Sequence, residues 1–317
     1  MKKQIPIFFA SDDNYIPFLA VAISSLQENA SPLFEYRIII LNEGLSAENM
    51  EKINKFKRAN FTIEFFDISQ RINLLRTALS LRLRDYYSVA IYYRMFIPTL
   101  FPELDKAIYL DGDIVVLGDI SEFYAINIEN KLVAAINDRL VFDTPEFIQY
   151  AENAVGIKAS EYFNSGVLVM NLKEFRSQNI EEKFLHYLLE YNFDSICPDQ
   201  DYLNVLCRDS KVLVPVYWNK MPLPDQTFDH TSLKLLHFNS FEKPWRHDGV
   251  LFGDIFWEKA KNTDFYDILL AMKNDFSYAD KIAERAAIES LVANAIRIAS
   301  SEEITFRRVL GLQVYAE

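Results

Sequence analysis

The sequence contains only 8 glycines among 317 residues, and none of them belongs to a glycine-rich phosphate loop. Neither Gly-x-Gly-x-x-Gly nor Gly-x-x-x-x-Gly-Lys-Ser/Thr occurs in it. Such loops bind phosphate groups through closely spaced backbone N–H donors. A nucleotide, if the protein binds one, must therefore be held by another arrangement. Internal repeats and low-complexity segments are also absent from the sequence.

Cysteine is scarce as well, because Cys197 and Cys207 are the only two. The sequence has no Cys-x-x-Cys pair and no spacing typical of a zinc site. Two isolated thiols predict a reduced intracellular protein in which each cysteine packs as a small apolar side chain.

Long apolar runs are missing too. No segment approaches the ~18–20 apolar residues that a membrane span needs. The start, MKKQIPIFFASDD, resembles a signal peptide, but its apolar part at 5–10 is short and ends at acidic residues. We predict a first β-strand there and a cytoplasmic protein, peripheral at most to the inner face of the membrane.

The sequence also lacks an excess of basic residues. The chain has 33 Lys and Arg against 45 Asp and Glu, which gives a formal net charge of −12. Nucleic-acid binding requires clustered Lys and Arg, so this composition argues against it. An anionic small substrate stays compatible if a metal or local cations supply positive charge. Half of the residues are hydrophobic, which is enough for a packed core.

The apolar residues follow an alternation of strands and helices. Short apolar runs predict strands at 5–10, 36–42 and 61–68, and helical spacing occupies 15–30 and 46–56. This order is typical of a doubly wound α/β sheet. Beyond it we predict a helix at 88–97 and strands at 106–110, 113–117, 132–137, 166–171, 211–216 and 233–237.

The C-terminal part of the chain has a different pattern. We predict a main domain over 1–248 and a helical region over 249–317, with its clearest helix at 278–299. Residues 276–317 contain five basic and six acidic residues. Because a membrane-surface helix normally carries a basic polar face, we expect these helices to pack on the main domain or to contact a partner or a second copy.

Two carboxylates stand one residue apart in YLDGDIVVLGD at 109–119, between two apolar runs. Asp111 and Asp113 follow a predicted strand, and Asp12, Asp13 and Asn14 follow the first strand. Ligands of α/β sheets bind beyond the carboxyl ends of the strands. Residues i and i+2 of an extended chain point the same way, so the pair could bind Mg²⁺ or Mn²⁺. A turn with two solvated carboxylates is the alternative interpretation.

His237 ends the apolar run LKLLH and precedes FNSFEKPW. A neutral imidazole would complete a ligand set with the carboxylates and favour Mn²⁺ over Mg²⁺. A hydrogen-bonded core histidine is the other interpretation. Lys243, six residues further on, could act as a point charge on a phosphate.

Five segments together resemble the successive motifs of the family 8 glycosyltransferases, which are retaining enzymes with the GT-A fold. They occur in the family's order between residue 4 and about residue 248: ASDDNY (10–15), YLDGDIVV (109–116), YFNSGVLVMNL (162–172), PDQDYLN (198–204) and HFNSFEKPW (237–245). The resemblance implies a Rossmann-like nucleotide-sugar domain, a UDP-sugar donor and a bound Mn²⁺, with Mg²⁺ as the substitute.

The resemblance also assigns roles to individual residues. Asp111, Asp113 and His237 would bind the metal, and Lys243 would contact a phosphate. The uracil and ribose would be surrounded by Ala10, Ser11, Asp12, Asn14 and Tyr15, with Gly112 leaving room for the ribose. The donor sugar would contact Arg94, Asn164, Gly166, Asp199 and Gln200, of which Arg94, Asp199 and Gln200 are the catalytic candidates; Asp138 matches a position near the acceptor.

Three of these residues have simpler interpretations. Tyr15 could pack on the helix that it begins, Arg94 could be an exposed helix residue, and Asp199 could be a helix N-cap. One position departs from the family pattern, because Ser240 stands where the family has glycine. If that residue has a positive φ, serine costs about 1 kcal/mol or more there.

The resemblance thus implies a retaining hexosyltransferase that moves a hexose, with galactose favoured and glucose possible, to a hydroxyl of a glycan or glycoprotein. Gln200 lies where a nucleophile would be sought, but a neutral amide is a poor nucleophile, so we favour attack from the leaving-group face. A haloacid-dehalogenase-type phosphohydrolase, suggested by DGDIV, is one alternative. A non-catalytic module that binds UDP-sugars is the other.

Overall fold

The computed structural model describes residues 2–79, 89–239, 241–302 and 304–312. Its β-strands are, in chain order, β1 (Gln4–Ala10), β2 (Glu35–Asn42), β3 (Phe61–Asp67), β4 (Ala107–Leu110), β5 (Ile114–Val116), β6 (Val133–Asn137), β7 (Phe163–Met170), β8 (Lys211–Leu213) and β9 (Leu235–His237). Each of these strands overlaps a strand that was predicted from an apolar run, and their bounds differ by at most a few residues.

The α-helices alternate with these strands along the first part of the chain and dominate its end. They are α1 (Ile16–Asn29), α2 (Ala47–Asn54), α3 (Ser69–Leu79), α4 (Ile97–Leu100), α5 (Ile120–Tyr124), α6 (Arg139–Asp143), α7 (Pro145–Tyr150), α8 (Leu172–Ser177), α9 (Ile180–Glu190), α10 (Pro198–Leu206), α11 (Gly253–Ala260), α12 (Tyr266–Asp275), α13 (Tyr278–Ala299) and α14 (Phe306–Val309). The predicted α/β class is confirmed.

The helix predicted at 88–97 takes a different form. Residues Val89–Phe96 form a 3-10 helix, and α4 follows directly after it. Pro98 stands in the first turn of α4, where its missing N–H group leaves no hydrogen bond unmade. Further 3-10 turns lie at Ala159–Glu161, Val216–Trp218 and His230–Ser232, and a π-helical turn at Ala151–Val155.

The chain divides into two compact units. Unit 1 comprises Met1–Asn73, Lys106–Asn127 and Pro215–Lys281, and unit 2 comprises Leu74–Asp105, Ile128–Val214 and Ile282–Glu317.

Unit 1 contains parallel strands in the order β3-β2-β1-β4. Ile7 of β1 pairs with Ile38 of β2 on one side and Ile108 of β4 on the other. These side chains are fully buried, as are Phe8 and Ile39. Parallel strands covered on both faces carry continuous apolar runs, which is why the sequence identified them. Because β1 and β4 are neighbours, the loops that follow them begin at the same edge.

Helix α1 packs against β5 and fixes the ribbon that follows β4. The ribbon pairs β5 with β9 antiparallel, so that Ile114 lies opposite His237. The Ser25 hydroxyl of α1 accepts a hydrogen bond from Val116 N at 3.0 Å, and the Asn29 amide donates to Val116 O at 3.0 Å. The ribbon is thereby attached to the helix.

Unit 2 contains strands in the order β7-β6-β8, with β6 antiparallel to β7 and parallel to β8. Tyr150, Val155 and Ile157 belong to its core, and the last part of α13 contributes Ala295 and Ile298. Cys197 and Cys207 are free thiols. Burial raises the pKa of Cys207 to about 12, in keeping with a thiol that packs as an apolar group.

The two halves of helix α13 differ in solvent exposure. Its residues from Tyr278 to Ser290 are exposed apart from the half-buried Glu284, whereas Ala295 and Ile298 are buried. Among the residues that the structure describes, no helix is both long enough and apolar enough to cross a bilayer.

Candidate active site

Asp111, Asp113 and His237 come together in unit 1. One ligand atom from each lies within 4.8 Å of the other two. The His237 Nε2 atom is 3.2 Å from Asp113 Oδ1 and 3.8 Å from Asp111 Oδ2. Two carboxylate oxygens and one imidazole nitrogen form a ligand set that suits Mn²⁺, so the residues fit the metal predicted from the sequence.

The carboxylates converge for a reason other than the predicted one. We expected Asp111 and Asp113 to share one face of an extended strand, but residues 112–113 form a bend between β4 and β5. Asp113 is then held by the ribbon, since its backbone oxygen accepts a hydrogen bond from Phe238 N at 2.9 Å. This pairing brings Asp113 beside His237, across 124 positions of the sequence.

The orientation of the imidazole supports a ligand role. The His237 Nδ1 atom lies 3.0 Å from Asn219 Oδ1, an acceptor, so Nδ1 carries the hydrogen. The Nε2 atom is buried and has no hydrogen-bond partner among the described residues. Its lone pair therefore faces two carboxylates, an arrangement that a cation would stabilise. The alternative, a core histidine with both nitrogens hydrogen-bonded, explains the contact of Nδ1 with Asn219 but does not explain why Nε2 has no hydrogen-bond partner among the described residues.

Two further groups meet Asp113 at its other oxygen. Lys243 Nζ lies 2.5 Å from Asp113 Oδ2, and the Tyr15 hydroxyl donates to the same oxygen at 3.2 Å. Burial alone would raise the pKa of Asp113, but the charge of the Lys243 ammonium and its hydrogen bond act against burial, and the pKa lies well below its usual range. Burial and the charges of Asp113 and Asp111 raise the pKa of Tyr15 well above 10.0, so its hydroxyl stays a donor.

The loop after β1 contains the residues predicted to surround the nucleoside. Ala10 is half-buried and Ser11 is buried, whereas Asp12 and Asn14 are exposed. Asp12 accepts a hydrogen bond from Tyr15 N at 2.9 Å, which starts α1. Tyr15 makes an edge contact with Phe18 of α1, with 5.1 Å between ring centroids, as its simpler interpretation required. Its hydroxyl contact with Asp113 adds a connection to the ligand set.

Asp13 and Gly112 have structural reasons to be present. Asp13 accepts hydrogen bonds from Ser46 N at 3.0 Å and from the Asn49 amide at 2.7 Å, which joins the loop to the start of α2. A Cβ at Gly112 would lie 3.3 Å from Tyr15 Cδ1. Glycine at this position therefore leaves space for the Tyr15 ring, whether or not a ribose also approaches it.

Unit 2 brings together the residues predicted to contact the sugar. Gln200 Oε1 accepts hydrogen bonds from Ser165 N at 3.0 Å and from the Asn164 amide at 3.2 Å. Gln200 Nε2 donates to Asp138 Oδ2 at 3.0 Å. Asp138 also caps α6 by accepting from Leu140 N at 3.0 Å. Both ends of the buried Gln200 amide are thus engaged by the protein.

Asp199 and Arg94 belong to the same polar cluster. Asp199 Oδ2 accepts a hydrogen bond from the Ser165 hydroxyl at 2.9 Å and lies 3.5 Å from the Arg94 guanidinium. Arg94 is 4% exposed, so its interpretation as an exposed helix residue is wrong. The N-cap of α10 is Cys197, so the N-cap interpretation of Asp199 is wrong too. Gly166 N donates to Asn164 Oδ1 at 3.0 Å. Ser240 lies outside the described residues.

Sequence reasoning did not select Asn219, which orients His237, or Asp201, which has a buried polar cluster of its own. Asp201 is fully buried at the start of α10 and accepts hydrogen bonds from the hydroxyls of Tyr162, at 2.6 Å, of Tyr150 and of Ser195. Burial raises the pKa of Asp201 from 3.8 to about 6 despite these donors. Two of its partners, Tyr150 and Tyr162, come from distant segments, so no local pattern could identify the cluster.

Comparison with known proteins gives a consistent result. The sequence profile of glycosyl transferase family 8 matches residues 6–249. A Haemophilus influenzae protein described as a glycosyltransferase is 30% identical over 69% of this chain, and the chain spans 64% of that protein's length. The lipopolysaccharide 1,2-glucosyltransferase of Escherichia coli K12 is 26% identical over 80% of this chain and 76% of its own.

A solved structure shows the fold. The crystal structure of the galactosyltransferase LgtC, in complex with donor and acceptor sugar analogues, superimposes with a TM-score of 0.67. The match covers 82% of this chain and 96% of that one at 24% identity. The GT-A fold predicted from the sequence is thereby confirmed.

Proposed function

This chain belongs to glycosyl transferase family 8, and from that premise we propose that it is a retaining hexosyltransferase. It moves a hexose from a UDP-sugar to a hydroxyl of a glycan or glycoprotein acceptor and depends on Mn²⁺, for which Mg²⁺ can substitute. Galactose is the favoured hexose and glucose the alternative.

One observation supports this proposal above the others. The buried His237 Nε2 lone pair has no hydrogen-bond partner among the described residues and faces the carboxylates of Asp113 and Asp111. A buried acceptor that faces two carboxylates is unfavourable unless a cation meets it, and the Lys243 ammonium contacts the other oxygen of Asp113. We propose that these three residues hold Mn²⁺. Bound there, Mn²⁺ would act as a Lewis acid on the diphosphate.

The remaining residues of unit 1 would bind the rest of the nucleotide. Lys243 would hold a phosphate oxygen on which negative charge grows as the anomeric C–O bond breaks. The loop of Ala10, Ser11, Asp12, Asn14 and Tyr15 would bind the uracil and ribose, with Gly112 beneath the ribose. Ser240 would contribute backbone contacts to the phosphate.

The polar cluster of unit 2 would bind the hexose. Asp199 can accept hydrogen bonds from sugar hydroxyls, while Arg94, Asn164 and Gly166 would orient the ring. Gln200 would position these groups and not attack, because donors already occupy its Oε1 atom. The acceptor oxygen would then attack from the face that the diphosphate leaves. It forms the new C–O bond as the old one breaks, and the departing phosphate oxygen takes its proton.

The role of Gln200 can be tested by replacing it with alanine. If Gln200 only positions other groups, transferase activity should fall by about a hundredfold, far less than the roughly millionfold loss that follows removal of a nucleophile. Complete loss of activity with unchanged UDP-sugar binding would contradict attack from the leaving-group face.

The donor sugar and the acceptor rest on similarity. The likeness to the galactosyltransferase LgtC supports galactose, and the likeness to the lipopolysaccharide glucosyltransferase supports glucose. The two sugars differ at one hydroxyl, so a single hydrogen-bonded contact can decide between them. Both proteins act on sugars, which supports a glycan acceptor; a glycoprotein or a wall polymer is the extension that we propose.

A panel of UDP-sugars tests the proposal directly. Purified protein would be incubated with UDP-galactose, UDP-glucose, UDP-N-acetylglucosamine and UDP-xylose, with Mn²⁺ or with EDTA, and UDP release would be measured. We expect Mn²⁺-dependent release, highest with UDP-galactose. His237→Ala should reduce release more than about a hundredfold, since even outer-shell changes at metal sites cost 10- to 100-fold. The exposed His230→Ala is the matched control.

Two other outcomes would contradict the proposal. Phosphate release from p-nitrophenyl phosphate without nucleotide would indicate a phosphohydrolase, the alternative that the family match disfavours. Tight UDP-sugar binding without any hydrolysis or transfer would indicate a non-catalytic module.

For location and assembly, we propose the same arrangement that the sequence predicts. We propose a cytoplasmic enzyme that approaches its acceptor at the inner face of the membrane. The exposed part of α13 would contact a partner or a second copy, and 1–248 would form the catalytic domain with 249–317 as a helical extension.

A further inference from the structure

We infer that Lys243 couples the binding of the divalent cation to the binding of the diphosphate, because it occupies the metal-ligand carboxylate whenever no phosphate is present. The inference rests on the proposed function and deepens it. It predicts that the protein alone binds Mn²⁺ weakly and that a nucleoside diphosphate is needed to free the site.

The Lys243 ammonium contacts the carboxylate of Asp113, a proposed metal ligand, and is shielded from solvent. Its ammonium lies 2.5 Å from Asp113 Oδ2, while Asp113 Oδ1 faces the imidazole of His237. Lys243 is 6% exposed and Asp113 is 5% exposed. A buried ion pair is weakly screened by solvent, so the ammonium is a strong competitor for the carboxylate.

The charge count shows why a cation is disfavoured in the absence of phosphate. Asp111 and Asp113 contribute two negative charges and Lys243 one positive charge, with His237 neutral. Adding a divalent cation to this set leaves it net positive, with two cations on one carboxylate. A diphosphate supplies the missing negative charge and offers Lys243 a second partner.

The surroundings of Lys243 allow its side chain to change partner while its backbone stays in place. Its backbone oxygen accepts hydrogen bonds from Arg246 N and His247 N, each at 3.0 Å, which fixes the turn. The ammonium lies 5.4 Å from the centroid of the Trp245 ring. Four rotatable bonds can therefore carry the ammonium from Asp113 to a phosphate without refolding the loop.

The test is the affinity for Mn²⁺ with and without saturating UDP, measured by the electron paramagnetic resonance of free Mn²⁺. The wild type is compared with Lys243→Gln, Lys243→Met and Lys243→Arg. Lys234→Gln serves as the charge-matched control, because Lys234 pairs with Glu122 and not with the ligand set. Thermal unfolding of each variant without metal identifies any that is not folded.

The two neutral variants should bind Mn²⁺ alone roughly tenfold more tightly than the wild type or better, since a positive charge has been removed from the site. The factor by which UDP tightens Mn²⁺ binding should fall roughly tenfold or more in the same variants, while Lys243→Arg and Lys234→Gln keep it.

Unchanged or weaker Mn²⁺ binding by Lys243→Gln and Lys243→Met, with UDP still tightening it as in the wild type, would overturn the inference alone. Failure of the wild type to bind Mn²⁺ even with UDP would instead overturn the proposed function. If one neutral variant does not fold, the other decides, because methionine keeps an apolar side chain of similar length and glutamine keeps a polar end. If neither folds without metal, the inference fails, since Lys243 would then be a structural ion pair that cannot leave Asp113.

Discussion

At the scale of single residues, the ability of His237 to bind a metal through Nε2 depends on Asn219. Only a histidine whose hydrogen sits on Nδ1 presents a lone pair at Nε2. The Asn219 amide oxygen, 3.0 Å from Nδ1, selects that form of the ring. Asn219 is 1% exposed, so water cannot easily replace it.

We therefore predict that Asn219→Ala weakens Mn²⁺ binding in the presence of UDP by about 10- to 100-fold, the usual cost of losing an outer-shell partner of a metal ligand. Asn219→Asp should restore most of the affinity, because a carboxylate also accepts the Nδ1 hydrogen. Calorimetric titration with Mn²⁺ at saturating UDP measures both. Equal affinities for the alanine variant and the wild type would show that the ring is oriented by other contacts.

Asp201 makes a second prediction at this scale, on stability and pH. Its pKa is raised from 3.8 to about 6 in the folded protein. Between these values the folded state holds a proton that the unfolded state has lost. Stability due to this group is therefore greatest below about pH 4, falls as the pH rises to about 6, and stays lower above it by about 3 kcal/mol.

Asp201→Asn should remove this decline, because the amide does not titrate. The free energy of unfolding by urea would be measured at intervals from pH 4 to 7, and the difference between wild type and variant isolates the contribution of Asp201. Asp209→Asn, at an exposed position, is the control. Parallel curves for wild type and Asp201→Asn would show that the buried carboxyl does not titrate in this range.

These residues also mark what the sequence could reveal about the site. Asp111, Asp113, His237 and Lys243 stood out because their residue types and apolar flanks are unusual. Asn219 did not, because an asparagine becomes an orienting group only when folding places it next to a particular nitrogen. The Asp201 cluster was missed for the same reason.

At the scale of elements, prediction succeeded where burial produces a simple pattern. Strands β1, β2 and β4 are buried on both faces and carry uninterrupted apolar runs. The bend at residues 112–113 agrees with the turn that was the alternative interpretation, but the burial of Asp113 was not predictable, because it depends on the pairing of β5 with β9, a segment far along the chain. The short helices α6, α7 and α8 lack a long periodic pattern, and the sequence did not predict them; α9 has buried residues at helical spacing, Ile180, Phe184 and Leu188, and was missed all the same.

One element of unit 2 ends at a glycine, Gly156, where a larger residue would be unfavourable. The π-helical turn Ala151–Val155 is followed by Gly156, which has a φ of 83°. A Cβ there would lie 2.8 Å from Leu312 Cβ and 3.1 Å from Arg307 Cβ. Gly311 provides a comparison, since its φ is 61° but no atom lies within 4 Å of an added Cβ.

We predict that Gly156→Ala lowers the free energy of unfolding by more than the about 1–2 kcal/mol that left-handed backbone alone costs. Gly311→Ala should cost only that backbone term. Urea denaturation of both variants separates crowding from strain. Equal losses would mean that the segment containing Leu312 moves aside without cost.

At the scale of the whole molecule, α14, the last helix among the described residues, contributes to the core of unit 2. Phe306 of α14 is 1% exposed and stacks on Phe193 with 3.9 Å between ring centroids. It also makes an edge contact with Tyr202 of α10 at 4.9 Å. Helix α10 carries Asp199 and Gln200, so residues near the C-terminus support the helix that holds two of the proposed sugar contacts. The sequence predicted helices here, but composition alone could not show which side chains they bury.

Phe306→Ala should therefore lower the free energy of unfolding by about 3–5 kcal/mol, the usual cost of removing a buried phenyl ring. Ile304→Ala is the matched control, because Ile304 is 56% exposed and its loss should change stability by less than about 0.5 kcal/mol. Both would be measured by urea denaturation, with UDP-sugar hydrolysis recorded under conditions where each variant is folded. If Phe306→Ala were as stable as Ile304→Ala, the C-terminal segment would be an attachment that α10 does not need, and 1–248 would suffice as the catalytic domain.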